Sequence, residues 1–109
     1  MQYEPILVQF SAPDQATAKL IAETLLNLKI VACAHVSQSV KSIYHWEGRV
    51  EEASENIVQL KTFSIYWKAI EEKILELHPY SVPEIFATPI REISHYYYVW
   101  MIKEIIEKQ

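Results

Sequence analysis

Apolar residues change their spacing several times along the chain, and each change marks a new element. Ile6 to Phe10 (ILVQF) is a short apolar run with little helical period, closed by Ser11-Ala12-Pro13-Asp14, and predicts a buried strand followed by a turn into a helix. Ser11 and Asp14 are both candidate N-caps, because either side-chain oxygen can accept a free amide of a first helical turn. Ala18, Ile21, Ala22, Leu25 and Leu28 then recur at three- and four-residue spacing, with Lys19, Glu23 and Asn27 opposite, which predicts an amphipathic helix over about 14–28. Ile30 to Val36 (IVACAHV) is rich in β-branched and small residues and predicts a strand buried on both faces; Val40 to Trp46 continues extended.

The single glycine, Gly48, lies in Trp46-Glu47-Gly48-Arg49 between two β-prone segments. A chain that uses glycine once places it where φ must be positive, here a hairpin turn. Val50 to Glu55 is polar and extended, and Ile57 to Thr62 (IVQLKT) completes the second arm. The tip of this ribbon is too polar for a monomer's core, and a long protruding ribbon is an open edge unless another chain covers it. Ser64 is the candidate N-cap of a second helix over about 65–77, with Trp67, Ile70, Ile74 and Leu77 as its buried stripe. His78-Pro79 ends that helix, since proline pushes the residue before it out of helical geometry. His78 to Pro83 (HPYSVP) is a stiff loop, and Glu84 to Ile90 (EIFATPI) is the last strand, with Pro89 marking an edge or a bulge. Ser94 opens a third helix over about 95–107 that is apolar nearly all round in its first turns, as in a helix covered on more than one side. The order β-α-β-β-α-β-α is α+β. Its first six elements are the ferredoxin-like split β-α-β arrangement, and one domain accounts for residues 1–109.

Composition sharpens this picture at three points. The 109 residues are 50% hydrophobic and 22% charged, enough for one well-formed core. Three Trp, seven Tyr and three Phe are many large rings for so small an interior, which leaves some for a subunit interface or a pocket. The net charge is −4 with no basic run, so no nucleic-acid partner is expected. No apolar stretch approaches the ~18 residues of a membrane span and no leader pattern opens the chain, so the expected location is cytoplasmic, away from membranes.

Chemistry-bearing residues are few. Cys33 is the one cysteine, flanked by alanines; it reads either as buried and inert or as a nucleophile, for which it lacks an obvious base, because His35 stands beside it on the same strand. No Gly-x-Ser-x-Gly elbow, glycine-rich phosphate loop or paired metal-ligand spacing occurs, so the chain is not expected to be an enzyme. His78 and Glu84 bracket the proline loop and can converge on a metal; alternatively His78 caps the carbonyl end of the second helix. Lys61 and Glu84 end and open strands whose ends can meet, giving with Tyr80 and Trp46 either a small-ligand cleft with aromatic walls or an interface ion pair.

These residues fall into blocks that resemble the CutA family of divalent-cation tolerance proteins. The blocks are Val31-Ala32-Cys33-Ala34, Ser42-Ile43-Tyr44-His45-Trp46-Glu47-Gly48-Arg49-Val50, Leu60-Lys61-Thr62 and His78-Pro79-Tyr80-Ser81-Val82-Pro83-Glu84-Ile85, with Trp100 in the last helix. The resemblance implies a homotrimer like the PII signalling proteins, with strands of neighbouring subunits paired edge to edge and the hairpin reaching across. It implies a link to copper and other divalent cations by binding or signalling, with no established catalytic reaction; a PII-like small-molecule sensor and a scaffold for a partner protein are the alternatives. Some relatives are similar to copper binders that use a Cys at the end of the first strand, a His just before the His-Pro-Tyr block, and the Glu of the Pro-Glu pair. Here those positions are Phe10, Leu77 and Glu84, so only Glu84 matches, and His78 lies one residue, about 100° of helix, from the expected place. His35, His45 and His95 carry no assigned role.

Overall fold

The structure, a computed structural model, describes residues 2–109. Strand β1 (Pro5–Ala12) leads into helix α1 (Gln15–Asn27). Asp14, not Ser11, is the cap: its Oδ1 accepts the Thr17 amide at 2.7 Å, and that hydrogen bond holds its carboxyl below the ordinary value. The helix ends where Lys29 turns to a positive φ of 59°. Strands β2 (Cys33–Trp46) and β3 (Arg49–Phe63) form the long hairpin, followed by a single 3-10 turn (Ser64–Tyr66), helix α2 (Trp67–Leu77), strand β4 (Ile85–Pro89), helix α3 (His95–Ile102) and a π turn (Lys103–Glu107). The sheet is antiparallel with order β2-β3-β1-β4, the split β-α-β topology anticipated from the pattern.

Alternation along β1 decides what each face of the sheet does. Ile6, Val8 and Phe10 point to one side and pack with Val58 and Leu60 of β3, Ala18, Ile21 and Leu25 of α1, and Ile70 and Ile74 of α2. The intervening Leu7 and Gln9, with their β3 partners Lys61 and Gln59, point to the other face, which α1 and α2 leave bare and the C-terminal helix meets only at the Phe63 and Cys33 end. A second cluster at the sheet end joins Phe63 to Met101 and Ile105 of the C-terminal helix.

Four local expectations are corrected. Ile30–Val36 is not a doubly buried strand: β2 starts at Cys33 after the helix-ending turn and lies at the sheet edge, so it is at most half-buried. It runs without interruption to Trp46 apart from a bulge between Val36 and Ser39. Neither Ser64 nor Ser94 makes a capping hydrogen bond from its side chain, and α2 begins only at Trp67. Glu84 stands just before β4. The third helix is not covered all round, for Tyr96 is 86% exposed and only Met101 of α3 is buried.

The hairpin turns through Glu47 (φ 51°) and Gly48 (φ 78°), the double positive φ of a type I′ turn. A Cβ on Gly48 would meet nothing within 4 Å, so any penalty there comes from backbone conformation alone. Gly48→Ala is therefore expected to lower stability by roughly 1–2 kcal/mol, read as a lower urea midpoint at fixed protein concentration with the folded-state spectrum unchanged.

Candidate functional site

Strand β1 pairs with β3 only as far as Asn56, so residues 40–46 and 49–55 continue beyond the sheet as a two-stranded ribbon. Between that ribbon and the loop before β4 lies a cleft of about 690 Å³. One wall is Ser42, Tyr44 and Trp46, which share a face of β2 by alternation; the other is Tyr80, Val82, Pro83 and Glu84, with Glu55 and Ser11 near the floor.

His78 sets the position of the second wall. It is buried at the end of α2, where Pro79 halts the helix, and its Nε2 lies 2.6 Å from the Ser11 carbonyl oxygen while its Nδ1 lies 3.1 Å from the Tyr80 amide. A carbonyl can only accept and a backbone amide can only donate. The ring is therefore the neutral tautomer with the proton on Nε2, donating to Ser11 and accepting from Tyr80. Its ring also stacks obliquely on Tyr80 at 4.8 Å and meets Phe10 edge-on at 6.4 Å. His78 thus ties the proline loop to the end of β1. Both its nitrogens are engaged, so it has no lone pair for a metal, and the expected pairing of His78 with Glu84 as ligands is corrected: it neither ligates nor caps the helix through its side chain.

Trp46, Tyr80 and Glu84 do meet in the cleft, but Lys61 does not join them. Lys61 stands opposite Leu7 of β1, whereas Glu84 continues past the Phe10–Ile85 pair to the level of Ser11, so about 13 Å of strand at ~3.3 Å per residue separates the two levels. On the uncovered sheet face Lys61 Nζ instead donates to His35 Nδ1 at 3.0 Å, and His35 Nε2 turns to Cys33 Sγ at 4.0 Å. A lysine ammonium can only donate, so His35 presents an N–H, not a lone pair, to the thiol. Cys33 also faces Tyr97, whose hydroxyl is pushed up to about 12 by burial and then by the thiol beside it. Trp100 packs on Tyr97 at 5.3 Å and lies with this cluster, away from the cleft. Glu84 accepts from Gln9 Nε2 at 3.3 Å, and Gln59 donates to Gln9 at 3.2 Å, so a row of polar contacts runs across the open face.

The residue that sequence reasoning missed is Glu55. It is 8% exposed, lines the cleft, and together with burial pushes the Tyr80 hydroxyl up, burial being the larger cause. Its strand phase with Ile57 and Gln59 was readable, but its withdrawal from water depends on the ribbon and loop folding over it. Among the described residues no three His, Cys, Asp or Glu side chains gather as a metal cage. Phe10 and Leu77 supply no donor atoms and His78 is spent, so the copper set that the resemblance implies for relatives does not fit this chain.

Two measurements check these assignments. His78→Ala leaves the buried Ser11 carbonyl without its donor and is expected to cost about 2–3 kcal/mol of stability by urea unfolding. Tyr97 ionises near the ordinary value of 10.0 when unfolded but near 12 when folded, so the unfolded chain loses this proton first. Stability from this group is complete below pH 10 and disappears as the pH rises to 12; the decline over that window is expected to be shallower in Tyr97→Phe.

The sequence profile of the family described as "CutA1 divalent ion tolerance protein" matches residues 6–104. The divalent-cation tolerance protein CutA of Pyrococcus horikoshii is 36% identical over 99 residues, covering 91% of this chain and 96% of that protein. Its Thermus thermophilus counterpart is 35% identical over 95 residues, covering 87% and 92%. Among solved structures, CutA1 of Shewanella sp. SIB1 superposes with a TM-score of 0.91 at 34% identity, covering 94% of this chain and 96% of that one. A protein from Archaeoglobus fulgidus described as a periplasmic divalent cation tolerance protein superposes with a TM-score of 0.89 at 29% identity, covering 93% and 98%. Profile, sequence and fold agree over nearly the full length of the chain, and it belongs to the CutA1 divalent ion tolerance family.

Proposed function

We propose that the chain works as a homotrimer in divalent-cation tolerance, by binding or signalling and not by turnover, in the cytoplasm. The observation that carries this reading is the amount of apolar surface that one copy leaves in water. Ile43 is 62% exposed, Val50 65% and Val82 72%, and Trp46 and Phe86 are about half exposed. Isolated exposed side chains are ordinary, but these lie on the ribbon, the proline loop and edge strand β4. Both β2 and β4 are open edges of the sheet, and β2 is 14 residues long, a length that natural proteins cover. Beside β4 a groove of about 550 Å³, lined by Ile6, Trp67, Ile85 and Pro89, offers a neighbouring copy a seat. The number three comes from the family resemblance.

A role without turnover is supported by the Cys33 cluster. A general base needs a lone pair, and Lys61 occupies the one that His35 would offer. For the cation, Glu84 is the one donor that matches the copper-binding relatives, and it lies at the cleft rim with one neutral hydrogen-bond donor, Gln9. Sedimentation at micromolar concentration is expected to return about 38 kDa, three copies of the 12.8 kDa chain, and calorimetric titration of that species with divalent cations to show any binding weakened in Glu84→Ala. A folded 12.8 kDa species overturns the assembly, and tight divalent-cation binding unchanged by Glu84→Ala overturns the cation contact.

A further inference from the structure

We propose that His78 is a proton-operated latch: when its Nδ1 takes up a proton, the proline loop from Tyr80 onward is released. The inference goes beyond the role in divalent-cation tolerance. The latch lies inside a single chain, so it holds or fails independently of the assembly.

The two ring nitrogens respond differently to acid. Nε2 donates to the Ser11 carbonyl oxygen at 2.6 Å, and it carries a hydrogen in the neutral and in the charged ring alike, so that tie survives protonation. Nδ1 accepts from the Tyr80 amide at 3.1 Å, which only a lone pair can do. A proton there sets two N–H groups head to head. His78 is 7% exposed, so water is poorly placed to take over the lost partner. The charged ring and the seated loop therefore exclude one another.

The loop has little else to hold it. Residues 79–84 belong to no helix or strand, and Pro79 and Pro83 have no N–H to offer. Among the described residues, the bond from Tyr80 to His78 is the one hydrogen bond donated by a backbone amide of this segment. Tyr80 and Val82 are exposed, at 38% and 72%.

The groups around the ring leave it as the titrating member of the set. From β1 it meets Phe10 and Ser11, which do not titrate, and from the loop it meets Tyr80. Beyond Tyr80 lie Glu55 of β3, Tyr44 of β2 and Asp14 ahead of α1, all of which act on the Tyr80 hydroxyl after burial, the larger cause. On α2 itself Lys73 and Glu76 pair with each other at 2.6 Å, and Glu84 accepts from Gln9. Carboxyl groups and phenols ordinarily titrate near about pH 4 and pH 10, so across the neutral range the imidazole is the group that changes charge. The released ring binds a proton as an ordinary histidine does, near about pH 6.5, while the seated ring has no room for one. The released state holds more protons, so the latch is complete above that pH and lost as the pH falls below it.

The test follows hydrogen exchange at the Tyr80 amide of the intact protein by NMR, corrected for the intrinsic rate at each pH. The open population is expected to rise about tenfold between about pH 7.5 and about pH 5.5, while α1 keeps its protection. The ring nitrogen spectrum at the higher pH is expected to show a bare Nδ1 and a protonated Nε2. His78→Gln keeps a donor for Ser11 and does not titrate, so its acid response is expected to vanish. His95→Gln, at an exposed histidine, is expected to respond as the unaltered protein does. A proton on Nδ1 at the higher pH, constant protection of Tyr80, or equal loosening of α1 overturns the proposal without recourse to a variant. An acid response that persists in His78→Gln, or one that is lost in His95→Gln, overturns it too.

Discussion

Strand β3 is 15 residues long and β1 only 8, and most of what is distinctive in the molecule follows from that mismatch. Backbone N–H and C=O groups must find partners, and within the common span β3 finds them on both sides, from β1 and β2. Beyond Asn56 it has β2 alone. A two-stranded ribbon with no third layer is marginal by itself. Here it projects far enough to stretch the molecule to 45 Å along one axis against 26 and 24 Å along the others. The same overhang leaves a long open edge on β2 and forms one wall of the cleft.

The cleft needs a second wall held in place, and the chain supplies it with an unusual economy of polar contacts. Pro79 stops α2, so the last carbonyl-rich turn is followed at once by a loop with restricted backbone. His78 then spans from that loop to β1 with one donated and one accepted hydrogen bond, both in the interior. Buried hydrogen bonds of this kind are individually modest but expensive to leave unmade, so they restrict geometry more than they add stability. A histidine used in this way cannot also be a ligand, which separates this chain from the copper-ligand pattern that the resemblance implies more decisively than the loss of donors at Phe10 and Leu77.

Two polar groupings on the same sheet end up with different characters. At the ribbon end, Glu55 and Glu84 stand without cations among aromatic rings. At the other end, Lys61, His35 and Cys33 form a contact chain whose protons are fixed by which groups can only donate. The register of β1 keeps them apart, because one step along a strand is about 3.3 Å and no side chain of these lengths bridges four steps.

By itself the sequence determined the element order, most of the buried stripes of α1 and α2, the hairpin turn at Gly48 and the family, because these rest on local periodicity, on φ preference and on residue blocks read in order. It also set Trp46, Tyr80 and Glu84 side by side, and all three line one cleft. Only the tertiary structure decided that Lys61 belongs to the open face, that His78 is a brace, that Cys33 and Trp100 lie away from the cleft, and that Glu55 lies within it. Each of those outcomes depends on strand register and on what folds over a side chain from far along the chain. Periodicity assigns a residue to a face of its own strand, but the partner opposite and the cover above it are long-range facts that local spacing does not encode.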